Sequence, residues 1–283
     1  MNAFQYLFEP RSIAVVGVSE DAVRPASQAV HALMRNGYSG KIYPVNPKYE
    51  EMQGLKCYPD VRSVPRPCDV ALVVVSGQHV PDVIEQCGEV GIGYAVVLSA
   101  GFDEIGERGR ELQQKLDAAI AKSGVRVIGP NCVGLANMRT KACCAFGGAL
   151  GDPSLEPGPM AVVSQSGGIG LGMIAHAQAH GIGTTFFVSS GNEADLTALD
   201  IIELLIRRGA TVTYSDMWVP SFDHGGHAMT EVPFEKAIAA DYDCAVIATD
   251  HAAFDYENIA KMPLVVDTRN ALKGVTGPNI FKL

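Results

Sequence analysis

The 283-residue sequence has no apolar run of the eighteen or more residues that a membrane-crossing helix needs. Its opening stretch, Met1 to Ser12, lacks the basic n-region, apolar h-region and small-residue cleavage site of a secretory leader, so a cytoplasmic protein is expected. Positive charge is in deficit: 22 Lys and Arg against 31 Asp and Glu leave a net charge of −9, a surface that repels polyanions and argues against nucleic acid as a partner. A small phosphorylated ligand is not excluded, because helix N-termini and a few local cations hold a phosphate whatever the global charge. The seven cysteines (57, 68, 87, 132, 143, 144 and 244) are odd in number and form no CxxC pair, which argues against a disulfide framework or a thiolate zinc site. They read as packed thiols in a reducing compartment. HExxH is absent as well. His176 and His180 share a helix face at i, i+4, but no acidic third ligand stands nearby, so no metal site is expected.

What is present is the composition of a folded chain, 47% hydrophobic and 19% charged, long enough for two compact domains. Short apolar runs alternate with helical patterns, the signature of βαβ units and parallel sheets. Strands are expected over 12–18, 41–45, 69–75, 94–99 and 126–128, with helices over 26–36, 80–90 and 107–123. The strands are almost wholly apolar, as strands covered on both faces should be. Residues 139–159 are rich in Gly, Pro and small side chains without either periodicity, and are expected to link a first domain (1–138) to a second (160–283). In the second, strands are expected over 159–164, 184–189, 211–215, 244–249 and 264–267. Helices are expected there over 167–180, 199–208, 235–240 and 256–262, with a polar loop after 215. The fold class that follows is α/β, with two doubly wound, Rossmann-like parallel-sheet domains.

Candidate binding residues gather where strands end. The run SIAVVGV leads into Gly17, Val18 and Ser19 and then toward a helix, which offers backbone N–H groups and a hydroxyl to an anion. Alone, G-x-S is not the full dinucleotide fingerprint, and a plain tight turn is the competing reading. Four more segments accompany it: GYSGKIYPVNPKYEEMQGLKCYPDV from Gly37, the loop Val75-Ser76, LSAGFDEIGERG from Leu98, and VIGPNCVGLAN from Val127. In this order and spacing, residues 8–137 closely resemble the CoA-binding domain of NDP-forming acyl-CoA synthetases, relatives of the succinyl-CoA synthetase α subunit. The resemblance implies that Gly17 and Ser19 line a phosphate turn with Arg24 nearby. It also implies that Asn46, Pro47 and Lys48 approach the adenosine end, Lys48 as a cation for a CoA phosphate. Ser76, Ser99, Gly101 and Phe102 would face the pantetheine arm, and Asn131 and Cys132 the thiol end. A solvated lysine and an inert packed thiol are the competing readings of Lys48 and Cys132.

A second turn lies in AVVSQSGGIGLGMIAHA, where Ser164, Gln165, Ser166, Gly167 and Gly168 can present donors to a phosphoryl group at a helix N-terminus. It resembles the helix that supports the phosphorylated histidine in the same family, and SSGNEADL from Ser189 matches that family too. The family's histidine loop, a Ser-His-Thr-Gly run, does not occur in this sequence, and no ATP-grasp segment is recognised. The resemblance therefore implies CoA or acyl-CoA binding without complete ligase chemistry, no catalytic residue being assigned, and an oligomer in which an ATP-grasp partner subunit could take part.

From Leu199, LDIIELLIRRGATVTYSDMWVP and then AIAADYDCAVIATDHAAFDYENIAKMPLVVDTRNAL resemble the C-terminal domain of UDP-glucose and UDP-N-acetylhexosamine dehydrogenases. That resemblance implies that Arg269 reaches toward a UDP-sugar, with Thr249, Asp250 and His251 near the nucleotide cleft. A salt-bridged cation is the alternative for Arg269. The family's NAD-binding domain and cysteine segment are not recognised here. The two resemblances meet near 195–200 in one helix, where Leu199, Ile202, Leu205 and Ile206 keep a continuous apolar face. A UDP-sugar dehydrogenase relative and a non-catalytic fusion remnant are the alternatives to a CoA-binding protein.

Overall fold

The computed structural model describes residues 4–147, 150, 152, 155–158, 160–179, 181–207, 213–224, 227–240, 242, 245–247, 250, 253–267 and 271–282. The chain forms two compact units, Met1–Ile174 with Ile182–Ala198, and Ala175–Gly181 with Leu199–Leu283.

The first unit opens with a short helix α1 (Gln5–Phe8), then β1 (Ser12–Val16), α2 (Pro25–Arg35) and β2 (Lys41–Val45). A small hairpin, β3 (Glu51–Met52) and β4 (Leu55–Lys56), precedes β5 (Val70–Val73), α3 (Val80–Val90), β6 (Tyr94–Val97), α4 (Glu107–Ser123) and β7 (Arg126–Ile128). Strands β2, β1, β5, β6 and β7 lie side by side in that order and pair in parallel. The order reverses between β1 and β5, and in open α/β sheets the crevice beyond the carboxyl ends at such a reversal is where ligands bind.

The apolar runs explain the sheet. Ala14, Val16, Ala71, Val73, Ala95 and Val97 pack against Val80, Val83, Ile84 and Cys87 of α3 and Leu116 and Ala119 of α4. The alternate residues Ile13, Val15, Leu72 and Val96 are equally buried and, by the two-residue period of a strand, lie on the other face. Helix α2 buries Ala26, Ala29, Val30 and Leu33, a stripe at i, i+3, i+4 and i+7. Pro25 begins it, where a missing N–H costs nothing, and α3 ends on Gly91 in the left-handed conformation.

The same unit holds a second sheet in the order β10 (Met160–Ser164), β11 (Thr184–Ser189), β8 (Gly134–Asn137) and β9 (Ala142–Ala145). Helix α5 (Gly167–Ala179) connects β10 to β11, which are parallel, as expected for a βαβ unit. Strands β8 and β9 add an antiparallel pair, so the sheet is mixed, and β9 lies inside the stretch expected to be a linker. After β11 the chain runs back along the first sheet. The N–H groups of Asn192, Ala194 and Leu196 donate to the carbonyls of Pro130, Gly129 and Val127 at 2.9, 3.0 and 2.9 Å. Asp195 accepts from Val127 N at 2.7 Å and Arg126 Nε at 2.9 Å, which fastens this segment to β7.

In the second unit, α6 (Ala198–Arg207) is followed by a hairpin, β12 (Ser221–His224) and β13 (His227–Thr230), inside the region expected to be a polar loop. The strand expected over 211–215 is not formed at 213–215, and 211–212 lie outside the described residues. Helix α7 (Phe234–Ala239), β14 (Ala245–Ile247), α8 (Tyr256–Ile259), β15 (Val265–Asp267) and β16 (Ile280–Lys282) follow. The last three strands pair in parallel over a small core of Ile247, Ile259, Val265, Leu272 and Ile280.

Among the described residues no helix is long and apolar enough to cross a membrane.

Candidate functional site

Each candidate residue of the first group stands just beyond a strand of the five-stranded sheet, and all of these turns share its carboxyl edge. Gly17 follows β1 at φ +98°, and a Cβ there would sit 2.1 Å from the Val74 carbonyl oxygen. Only glycine allows this turn to lie against the one after β5. Ser19 is held by Ser27 in the first turn of α2. The Ser19 N–H donates to Ser27 Oγ at 3.2 Å, and that hydroxyl donates to the Ser19 carbonyl at 2.7 Å. Arg24 is exposed at the start of α2, 3.5 Å from Asp21.

Asn46 ties two turns together. Its Nδ2 donates to the Val18 carbonyl at 2.6 Å, and its Oδ1 accepts from the Lys48 N–H at 3.0 Å. Pro47 and Lys48 are exposed, which leaves the Lys48 ammonium facing solvent beside the turn that Asn46 shapes. Ser76 is exposed beyond β5. Ser99 is buried, and its hydroxyl clamps the neighbouring backbone, donating to the Val75 carbonyl at 2.7 Å and accepting from Val75 N at 3.2 Å.

Gly101 takes φ +106° with open space where a Cβ would be. The Phe102 ring is fully buried in the core, which leaves only its backbone at the strand-end turn. Asn131 is exposed at φ +55°, and its N–H donates to the Ser99 carbonyl at 2.9 Å. Cys132 is buried, its thiol donating to the Val97 carbonyl at 3.2 Å, and burial pushes its pKa up to about 12. A thiol so placed is protonated at neutral pH and is no nucleophile.

The second group lies in the same unit, at the carboxyl end of β10. Ser164 Oγ donates to the Ser166 carbonyl at 2.8 Å, closing the turn into α5. A Cβ at Gly167 would lie 2.1 Å from Val133 Cγ2, whereas Gly168 faces open space. The first helical turn is thus packed against the β7–β8 connection on one side and accessible on the other. Gln165 is exposed and pairs with Gly191 in both directions, through Nε2 to the Gly191 carbonyl at 2.9 Å and from Gly191 N to its own carbonyl at 3.2 Å.

The segment after β11 therefore brings the first two groups together, and reading the sequence did not place its side chains in the site. Glu193 adopts φ +58°, an uncommon conformation for a residue with a side chain, held by hydrogen bonds from Ser190 Oγ at 2.6 Å and Ala198 N at 3.0 Å. Glu104 was also missed. Its carboxylate accepts the N–H of Gly101, the N–H of Phe102 at 3.1 Å and Nδ2 of Asn192 at 2.5 Å. Partial burial opposes ionisation of Glu104, but the donors from Gly101, Asn192 and Phe102 outweigh it and hold the carboxyl below its usual range. Motif position gives one signal for these residues, since Glu104 sits in LSAGFDE and Asn192 and Glu193 in SSGNEADL.

Asp250 is exposed in the second unit and accepts from the Tyr256 hydroxyl at 3.0 Å. Thr249, His251 and Arg269 lie outside the described residues, as do His180 and Cys244. No group of three or more His, Cys, Asp or Glu able to hold a metal occurs among the described residues.

Three known families match parts of the chain. Residues 11–138 match the CoA binding domain family, and residues 157–217 the succinyl-CoA ligase like flavodoxin domain. Residues 194–274 match the UDP-binding domain of the UDP-glucose/GDP-mannose dehydrogenase family. The last two matches overlap across 194–217, which contains α6, where the two resemblances meet. Among curated proteins, the chain is 38% identical over 200 residues to the alpha subunit of ADP-forming acetate–CoA ligase II of Pyrococcus furiosus, covering 71% of this chain and 42% of that protein. It is 36% identical over 205 residues to the alpha subunit of ligase I of the same organism, covering 71% and 44%. The chain thus spans less than half the length of these relatives. Of solved structures, the dinucleotide-forming acetyl-coenzyme A synthetase 1 of Ca. Korarchaeum cryptofilum, in complex with phosphate and ADP, superposes with a TM-score of 0.70 at 30% identity. That likeness covers 95% of this chain and 52% of that one. The front of the chain resembles the alpha part of ADP-forming acyl-CoA synthetases, and its tail resembles a UDP-binding domain.

Proposed function

We propose that the first unit binds coenzyme A or an acyl-CoA along the carboxyl edge of its five-stranded sheet. The observation that carries this reading is the convergence of five strand-end turns on one edge within the residues that match a CoA binding domain. Two features suit a phosphorylated ligand: the tight glycine turn after β1, packed against the turn after β5, and the exposed cations Arg24 and Lys48. Lys48 pairs with a CoA phosphate, while Asn46 and Ser99 fix the backbone of the turns the ligand lies against. Gly101 and Asn131 line the path of the pantetheine arm. The start of α5, reached through the 189–196 segment, serves a phosphoryl group.

The buried, protonated Cys132 thiol carries no covalent step. The relatives named as alpha subunits extend the proposal to a second subunit that supplies the nucleotide-activating chemistry.

Calorimetric titration of the purified chain with CoA, and separately with UDP, tests the reading. Saturable CoA binding supports it, and folded protein that binds no CoA at millimolar ligand overturns it. Lys48→Ala is expected to weaken CoA binding by about 1 to 3 kcal/mol, the worth of one charge-assisted contact. Unchanged affinity would return Lys48 to a solvated surface cation.

A further inference from the structure

The turn after β6 and the segment after β11 are 88 residues apart in sequence and meet through two side chains. Glu104 closes the first turn on itself by accepting the N–H groups of Gly101 and Phe102. That turn has little freedom to move alone. The Phe102 ring is fixed in the core, and a Cβ at Gly109 of α4 would lie 1.7 Å from the Phe102 carbonyl oxygen, so the helix sits directly on it. From this anchored carboxylate the contact continues outward. Asn192 Nδ2 donates to Glu104 at 2.5 Å, and Asn131 Nδ2 donates to Asn192 Oδ1 at 3.2 Å. The Asn192 backbone donates to the Pro130 carbonyl at 2.9 Å, and its neighbour Gly191 is paired with Gln165 in the turn before α5. One asparagine side chain therefore touches side chains on the turns after β6 and β7, while the backbone it belongs to holds the turn after β10.

We propose that Glu104 and Asn192 form a relay through which a ligand on the β6 and β7 turns is sensed at the phosphate turn before α5. This rests on the CoA reading above and adds a regulatory link between its two halves. The carboxylate is a positioning group. It binds no ligand, but the Asn192 amide carries the order it imposes on Gly101 and Phe102 directly to residues 189–196, beside the backbone bonds that tie that segment to the β7 turn. A ligand that tightens the β6 turn tightens that segment too, and by reciprocity a phosphoryl group before α5 strengthens CoA binding.

Hydrogen exchange read by mass spectrometry tests the relay on the full chain, with CoA as the probe and Asn192→Ala and Glu104→Gln as variants. Asn192→Ala leaves the cap on Gly101 and Phe102 intact and removes only the bridge. Glu104→Gln keeps the size but cannot accept from all three donors. In the unsubstituted chain, saturating CoA is expected to slow exchange across 189–196 by on the order of fivefold, the lower end of ordinary coupling. In Asn192→Ala CoA still binds, its titration by calorimetry confirming this, and the slowing at 189–196 is lost while protection of the 98–102 turn remains; in Glu104→Gln, which gives up at least one of the bonds from Gly101, Phe102 and Asn192, protection of the turn and slowing at 189–196 weaken together. Slowing that survives in both variants, or CoA binding without any slowing in the unsubstituted chain, overturns the relay alone. Absence of CoA binding in the unsubstituted chain overturns the relay together with the function it rests on.

Discussion

Alanine at Gly17 and alanine at Gly101 separate two costs that the edge of the sheet combines. Both glycines adopt positive φ, +98° and +106°, so each substitution pays for a conformation that side chains disfavour. That is about 1 to 2 kcal/mol, offset by about 0.4 to 1 kcal/mol from the lower entropy of the unfolded chain. At Gly101 nothing lies within 4 Å of the added methyl, so the net loss should stay near 1 kcal/mol or below. At Gly17 the methyl would stand 2.1 Å from the Val74 carbonyl oxygen and 2.8 Å from its carbon. A carbon and an oxygen at rest stand roughly 3.3 Å or more apart, so the turns after β1 and β5 must separate by about 1 Å. That movement strains the hydrogen bond from Val74 N to the Val16 carbonyl, 2.9 Å long, next to the junction. Overpacking and a weakened bond add about 2 to 4 kcal/mol. Urea unfolding followed by circular dichroism gives both values, and calorimetry with CoA reports whether the opened turn still binds. Gly17→Ala is expected to be the more destabilising by at least about 2 kcal/mol and to lose CoA affinity. Equal destabilisation by the two substitutions would refute the close approach of these turns.

Asp195→Ala should destabilise the first unit by about 1 to 3 kcal/mol, since it leaves the Val127 N–H without its acceptor and removes the ion pair with Arg126. A urea midpoint within error of the parent would contradict that. Cys132 should resist iodoacetamide at pH 8 in the folded chain, because a thiol at about 12 is ionised there in roughly one molecule in ten thousand; mass spectrometry locates the labels. The raised pKa values of Cys132, Cys143 and Cys68, about 12, 12 and 11, also set a sign for pH dependence. Unfolded thiols lose protons near pH 9 and the folded ones do not, so stability is complete below pH 9 and falls above it. The slope is on the order of 1 kcal/mol per pH unit for each thiol. Unfolding midpoints that stay flat from pH 8 to 10.5 would count against it.

The first five parallel strands are legible in the sequence because each is a run of apolar residues framed by helices with a clear stripe. Helices α3 and α4 match their expected bounds and α2 lies one residue off, since their buried positions recur at three and four. Strands β8 and β9 escape the same reading. Their sequences, GLAN and ACCA, contain no β-branched or aromatic residue, and they are strands because they pair with each other and with β11. The hairpin of β12 and β13, SFDH and HAMT, hid inside a loop-like stretch.

For the site, residues at strand ends were visible because open sheets bind at that edge. Their individual roles were not. Asn46 and Ser99 spend their polar atoms on neighbouring backbone, and Phe102 spends its ring on the core. The partnership of Glu104 with Asn192 depends on tertiary folding over 88 residues, for which one sequence has no signal.

Strand β7 is the last in its sheet, and such a border ordinarily presents unpaired carbonyls and amides to any passing chain. Here the 192–196 segment already occupies the carbonyls of Val127, Gly129 and Pro130 and the amide of Val127. The piece of chain that joins the two candidate turns is thus also a seal against edge-to-edge association. A substitution that frees it should announce itself first as self-assembly of the protein, with its soluble fraction falling before its affinity does.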